Sequence, residues 1–199
     1  MSIVMKLALV GLTSAMAAAC ADPGLTAPVD GAEAHLTLFA DNGEEVDRPF
    51  RLSGFGVFAA QEFAPGFPAG LSDFGGRCSI PSHFVIRFTV GGQATHLGRF
   101  TGSAEHCTQL DFSTGSSTQT DGTMVFHASN GDELRATYVG SGAPGRPGET
   151  TATFASGTGR FVGATGSADG ITICNPATGR CPVFELDGVV TFAGSSSFL

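Results

Sequence analysis

Tryptophan is absent from this chain, and tyrosine and lysine occur once each. So few Trp and Tyr argue against a membrane-spanning barrel, whose strands carry aromatic girdles at both interfaces. The shortage of basic residues argues against a nucleic-acid ligand. Ten Lys+Arg stand against eighteen Asp+Glu, a net charge of −8, whereas binding phosphates needs a positive surface. No apolar run is long enough for a spanning helix. The local signatures of common chemistry are missing too. His35, His83, His96, His106 and His127 form no HxxxH or HxH pair, and there is no close CxxC, no GxSxG elbow and no phosphate loop ending in Gly-Lys-Ser/Thr. No metal, cofactor or catalytic residue is therefore assigned.

What is present begins with the leader "MSIVMKLALVGLTSAMAAAC". Lys6 precedes the apolar run Leu7 to Val10, and the small residues Ala17, Ala18 and Ala19 lead into Cys20, the pattern of a secretory signal. Small residues directly before a cysteine resemble the lipobox of bacterial lipoproteins, although Ala17 stands where that motif usually carries Leu. The resemblance implies cleavage before Cys20 and lipid on its thiol and new amino group, so that the protein is exported and anchored to a membrane at Cys20. The alternative is an ordinary signal peptide cut near Ala19, giving a secreted or periplasmic soluble protein. Removing residues 1–19 takes away the only lysine and leaves the mature chain more acidic still. Residues 20–31 are polar and contain proline, which reads as a tether, and 32–199 suffice for a single domain with one core.

Four cysteines remain beyond Cys20, an even number that in an exported chain points to disulfides. Of the three pairings, Cys78 with Cys107 and Cys174 with Cys181 is favoured, because "CNPATGRC" carries Asn-Pro and Thr-Gly turn signals that fold its ends together.

Helical periodicity is nearly absent after the leader, whereas alternation is frequent. In "HFVIRFTV" the residues Phe84, Ile86, Phe88 and Val90 share one face, and His83, Val85, Arg87 and Thr89 share the other. "DELRATYV" groups Leu134, Ala136 and Tyr138. "GTMVFHA" is similar, and "ASNGDE" between them supplies an Asn-Gly hairpin turn. With "AHLTLFA", "FRLSGFGVFAA", "ATHLGRFTG", "TQLDFS", "TTATFAS", "ADGITIC" and "VFELDGVVTFAG", the chain predicts eight to ten short antiparallel strands in a barrel or sandwich. "QEFAPGFPAGLSDFGGRC", Gln61 to Cys78, interrupts this rhythm as a long loop that either covers one barrel mouth or packs its phenylalanines on the outside of the sheet. "GSGAPGRPGET" reads as a plain exposed connection.

Gly-Arg-Phe-x-Gly occurs twice, at Gly98 to Gly102 and at Gly159 to Gly163. The second copy lacks the Gly-Lys-Ser/Thr ending of a phosphate loop and no helix follows it to offer an N-terminus, so the two copies read as corners where a sheet bends and closes. "TGRFVGATGSADG" followed by a strand, a turn and "LDGVVTF" resembles the C-terminal half of bacterial proteins with an allene oxide cyclase barrel-like fold, related in architecture to plant dirigent proteins. "HLGRFTGSAEHC" and "SNGDELRATYVG" fall on earlier strands, so the likeness covers His96 to Gly194. It implies an all-β, antiparallel, eight-stranded closed barrel whose interior can hold a small apolar molecule. Cyclase chemistry is not implied, because no catalytic residue of the plant enzymes matches a position here.

Four residues are candidates for a pocket. Glu105 and His106 could do acid–base work if they lie inside the barrel, and are otherwise a strand end beside a disulfide. Arg87 and Arg135 lie opposite the apolar stripes of their strands. If those stripes faced outward, the two arginines would line a pocket with Glu185 or Asp187; otherwise they face solvent. Abundant phenylalanine and the missing reaction centre together lead to an extracytoplasmic, lipid-anchored barrel that binds a small apolar ligand or a partner protein without catalysis. The alternatives are an isomerase or cyclase using the same cavity and an interaction module with a filled barrel.

Overall fold

The computed structural model describes residues 45–175 and 177–193. The leader, Cys20, the tether, His35 and the strand expected at "AHLTLFA" lie outside the described residues. The described chain forms eight strands: β1 (Val46–Phe63), β2 (Phe84–Ala94), β3 (Gly98–Asp111), β4 (Ser116–Ala128), β5 (Glu133–Gly142), β6 (Gly148–Gly157), β7 (Thr165–Asn175) and β8 (Arg180–Phe192). Each pairs antiparallel with its neighbours in sequence, and β1 pairs with β8, which closes an up-and-down barrel. Several strands are longer than their sequence patterns indicated. "ATHLGRFTG" and "TQLDFS" belong to one turn and one strand, β3, and β4 begins in "SSTQTD", too rich in Ser and Thr to read as a strand.

Alternation decides which residues go inside. Phe50 and Leu52 of β1, Phe100 and Ala104 of β3, Met124 and Phe126 of β4, Leu134 and Ala136 of β5, Phe154 of β6 and Leu186 and Val190 of β8 are all buried in one cluster. Phe50 meets Phe154 edge-on with ring centroids 4.7 Å apart, and Phe100 meets Phe126 at 5.4 Å. A 3-10 turn, η1 (Gly159–Phe161), lies between β6 and β7 and adds Phe161, fully buried, to this end of the barrel. Burying a Phe or Leu side chain contributes about 1.5–3 kcal/mol, so this cluster contributes substantially to stability. The outer faces carry polar cross-strand pairs such as Arg51 with Asp187 and Thr151 with Asp169. An apolar interior with a polar exterior is the reverse of a membrane-spanning barrel.

Both expected disulfides are present. Cys78–Cys107 pins the long segment after β1 against the outer face of β2 and β3, where Ala64 and Phe74 bury Val85 and Cys107. Val85 and Cys107 point away from the interior, so this part of the loop packs outside the sheet, whereas Phe67 packs on Phe63 and on Phe84 of the inner stripe, with ring centroids 4.7 and 6.4 Å away. Cys174–Cys181 ties the β7–β8 hairpin at the mouth. Disulfides form and persist in oxidising, extracytoplasmic compartments, and the pair fits such an environment.

Candidate functional site

The end of the barrel opposite Phe161 is not filled. A cavity of about 230 Å³ opens there. Phe88, Val90, Ala104, Met124 and Phe184 give it an apolar floor and wall. Gln119, Thr150 and Thr172 add polar groups nearer the opening, and Ala143 and Arg146 come from the connection between β5 and β6. Small residues keep the volume empty: Gly56 of β1 and Gly148 of β6 line it without side chains.

One buried polar pair faces this space. His106 of β3 is only 5% exposed, and its Nδ1 lies 2.5 Å from the Tyr138 hydroxyl of β5. The rings are edge-to-face at 5.6 Å, and Phe88 lies 5.6 Å from the imidazole on its other side. Burial among these groups pushes the His106 pKa down to about 4, so the imidazole is neutral at pH 7. Burial, with a smaller contribution from the charge of Glu105, pushes the Tyr138 phenol far up, so it keeps its proton. Two neutral groups therefore share one hydrogen bond, and which of them donates depends on the imidazole tautomer. Nε2 has no partner among the described residues and is the polar atom the pair can offer to a guest.

Of the four residues expected at a pocket, the cavity takes His106 alone. The apolar stripes face inward, so their opposite faces are outside. Arg87 pairs there with Glu105, which also lies 3.9 Å from Arg77, and Arg77 pairs with Glu62. Arg135 pairs with Glu133 at 2.8 Å, beside His127. Glu185 and Asp187 occupy the outer face of β8, with Asp187 on Arg51. His83 accepts a hydrogen bond from the Leu110 N–H, and no cluster of three His, Cys, Asp or Glu able to hold a metal exists among the described residues.

Sequence reasoning missed two contributors. Tyr138 stood in its apolar stripe, and its hydroxyl, which needs a partner when buried, was the available signal. Arg146 belongs to "GSGAPGRPGET", read as a plain exposed connection; it is exposed, and it also forms part of the mouth.

No protein-family model matches the chain, and no curated protein matches it. Among solved structures it is similar to the pterocarpan synthase dirigent protein GePTS1, with a TM-score of 0.46 and 16% identity over 76% of this chain and 93% of that one. A likeness at this level carries no statement about function. The eight-stranded closed barrel that the resemblance over His96 to Gly194 implied is the architecture observed.

Proposed function

We propose that the protein is an extracytoplasmic, lipid-anchored barrel that binds a small apolar molecule in the open half of its interior. The carrying observation is the cavity itself, an apolar space of about 230 Å³ bordered by a single neutral hydrogen-bonding pair. A void of about 150 Å³ already holds benzene, and sites for drug-sized ligands start near 300 Å³, so a guest of one or two rings, or a short aliphatic chain, suits it. A barrel serving only as an interaction module would gain stability by filling that space with side chains, as its other half does. The small apolar ligand is therefore favoured over the filled-barrel reading.

No carboxylate lines the cavity among the described residues, and its one charged group, Arg146, stands at the mouth, away from the buried pair, which favours binding over catalysis. A second reading, an isomerase or cyclase, draws support from His106 on the cavity wall: in the tautomer protonated on Nδ1, which donates to the Tyr138 hydroxyl, the neutral imidazole keeps an unprotonated Nε2 that can act as a base. Titration with a neutral apolar fluorescent probe, followed by mass spectrometry of natural lipid extracts incubated with the protein, separates the two. Saturable binding that Thr172→Trp abolishes by blocking the mouth, with bound compounds recovered unchanged, is the expected result. Conversion that disappears in His106→Gln would replace this reading with the enzyme. For the anchor, Cys20→Ser should move the protein from the membrane to the soluble fraction, and a wild-type protein found soluble would overturn the lipidation.

A further inference from the structure

We propose that the guest is a small apolar carboxylate, its rings in the cavity and its charged end on Arg146 at the mouth. This rests on the binding reading above and adds the charge and orientation of the ligand.

Arg146 is the one charged residue lining the cavity, and no Asp or Glu lines it. Among the described residues Arg51, Arg77, Arg87, Arg135 and Arg160 each have a carboxylate within 4 Å, whereas Arg48, Arg99 and Arg180 have none but do not line the cavity. Arg146 has none among the described residues. Its backbone is also restrained. The Arg146 N–H donates to Ala143 O at 3.2 Å, closing a turn, and Pro144 and Pro147 on either side restrict the backbone. A backbone restrained before the ligand arrives leaves only the arginine side chain to be ordered on binding.

The orientation follows from the cost of burying charge. At the depth of His106 and Tyr138 both polar groups are neutral, so a carboxylate there would lose water without gaining a counter-charge. At the mouth it keeps part of its hydration and gains a guanidinium, whose paired N–H groups match the two carboxylate oxygens. The apolar body then turns inward against Phe88, Met124 and Phe184. One cation suits a monoanion, whereas a phosphate dianion would call for further donors.

The test titrates the mature protein with 2-naphthoate and with its uncharged counterpart, 2-naphthylmethanol, at neutral pH and low salt, in wild type, Arg146→Gln and Arg146→Lys. Arg146→Gln should weaken naphthoate by about three- to tenfold, the range between an exposed and a partly desolvated ion pair, and leave the alcohol unchanged. Arg146→Lys should restore part of the loss. Naphthoate affinity unaffected by Arg146→Gln, or an equal loss for both ligands, overturns the carboxylate assignment while binding itself stands. If neither compound binds wild type, the binding reading falls and takes this proposal with it.

Discussion

Gly122 of β4 faces Tyr138 of β5 in register, and a β-carbon added at Gly122 would lie 2.5 Å from the Tyr138 ring. The missing side chain is therefore what lets that ring reach His106 on β3. It lies at an irregularity in β4, where Asp121 has a positive φ and its carboxylate accepts from the Ser79 N–H and hydroxyl of the outer loop. The strand between the two polar partners has been thinned where they must meet.

Gly122→Ala should consequently displace the tyrosine ring. The expected cost is about 1–3 kcal/mol, typical of an overfilled core, measured by urea unfolding against wild type. Tyr138 is the only tyrosine and tryptophan is absent, so intrinsic fluorescence reports on this ring directly. An unchanged emission spectrum together with unchanged stability would show that the ring accommodates the methyl group.

His106 makes the fold sensitive to acid. The unfolded chain takes up this proton near pH 6.5, the folded one only near 4. Between those values the unfolded state binds more protons, so stability is complete above pH 6.5 and falls as the pH drops toward 4, by about 3 kcal/mol. Asp111, whose carboxylate is held down to about 2 by hydrogen bonds from Ser113 and Thr114, acts in the same direction at lower pH. Unfolding midpoints measured across this range should decline in wild type and stay nearly level in His106→Gln. Parallel declines in both would assign the acid sensitivity elsewhere.

Tyr138 gives the mirror image in alkali. Its folded pKa is raised, so the folded state holds the phenolic proton after the unfolded chain has lost it. The stability it contributes is present below pH 10 and is lost as the pH climbs above that value. Ultraviolet titration should show no phenolate until the protein unfolds. A normal reversible titration near pH 10 in folded protein would mean that water reaches the hydroxyl.

Much of the barrel was legible because its driving force is local. Phe84, Ile86, Phe88 and Val90 share one face, opposite Arg87 and Thr89, and that pattern assigns the inner face of β2, although Val85 on the outer face is apolar and covered by the loop after β1. Gly-Arg-Phe-x-Gly was legible as a corner in its second copy, where Gly159 and Gly163 have positive φ around η1; the first copy, read as a corner too, instead opens strand β3, with positive φ at Gly98 alone and regular pairing through Gly102. The first residues of β4 were not legible, since Ser116, Ser117, Thr118 and Thr120 carry no apolar stripe and are held by neighbouring strands. The site was less legible still. His106 and Tyr138 are 32 residues apart, and their meeting depends on the registers of β3, β4 and β5 together with the irregularity at Asp121. Pairings of that kind leave no spacing in the sequence.

The Cys174–Cys181 bridge joins stability to binding. Both cysteines line the cavity, one on each strand of the β7–β8 hairpin, and Phe58 of β1 donates a hydrogen bond to Gly179 O at the hairpin tip. In the chain-entropy account, closing so short a loop contributes about 2.5 kcal/mol, and the Cys78–Cys107 loop about 3.5. Cys78 and Cys107 lie on the outer face, away from the cavity. Replacing both members of either pair with Ser should therefore lower stability by comparable amounts, while only the Cys174/Cys181 variant weakens a neutral apolar probe. The comparison needs both variants, because a general loosening of the barrel would lower affinity in each. Probe affinity that falls equally in the two, at equal stability loss, would mean that the hairpin has no particular part in shaping the mouth.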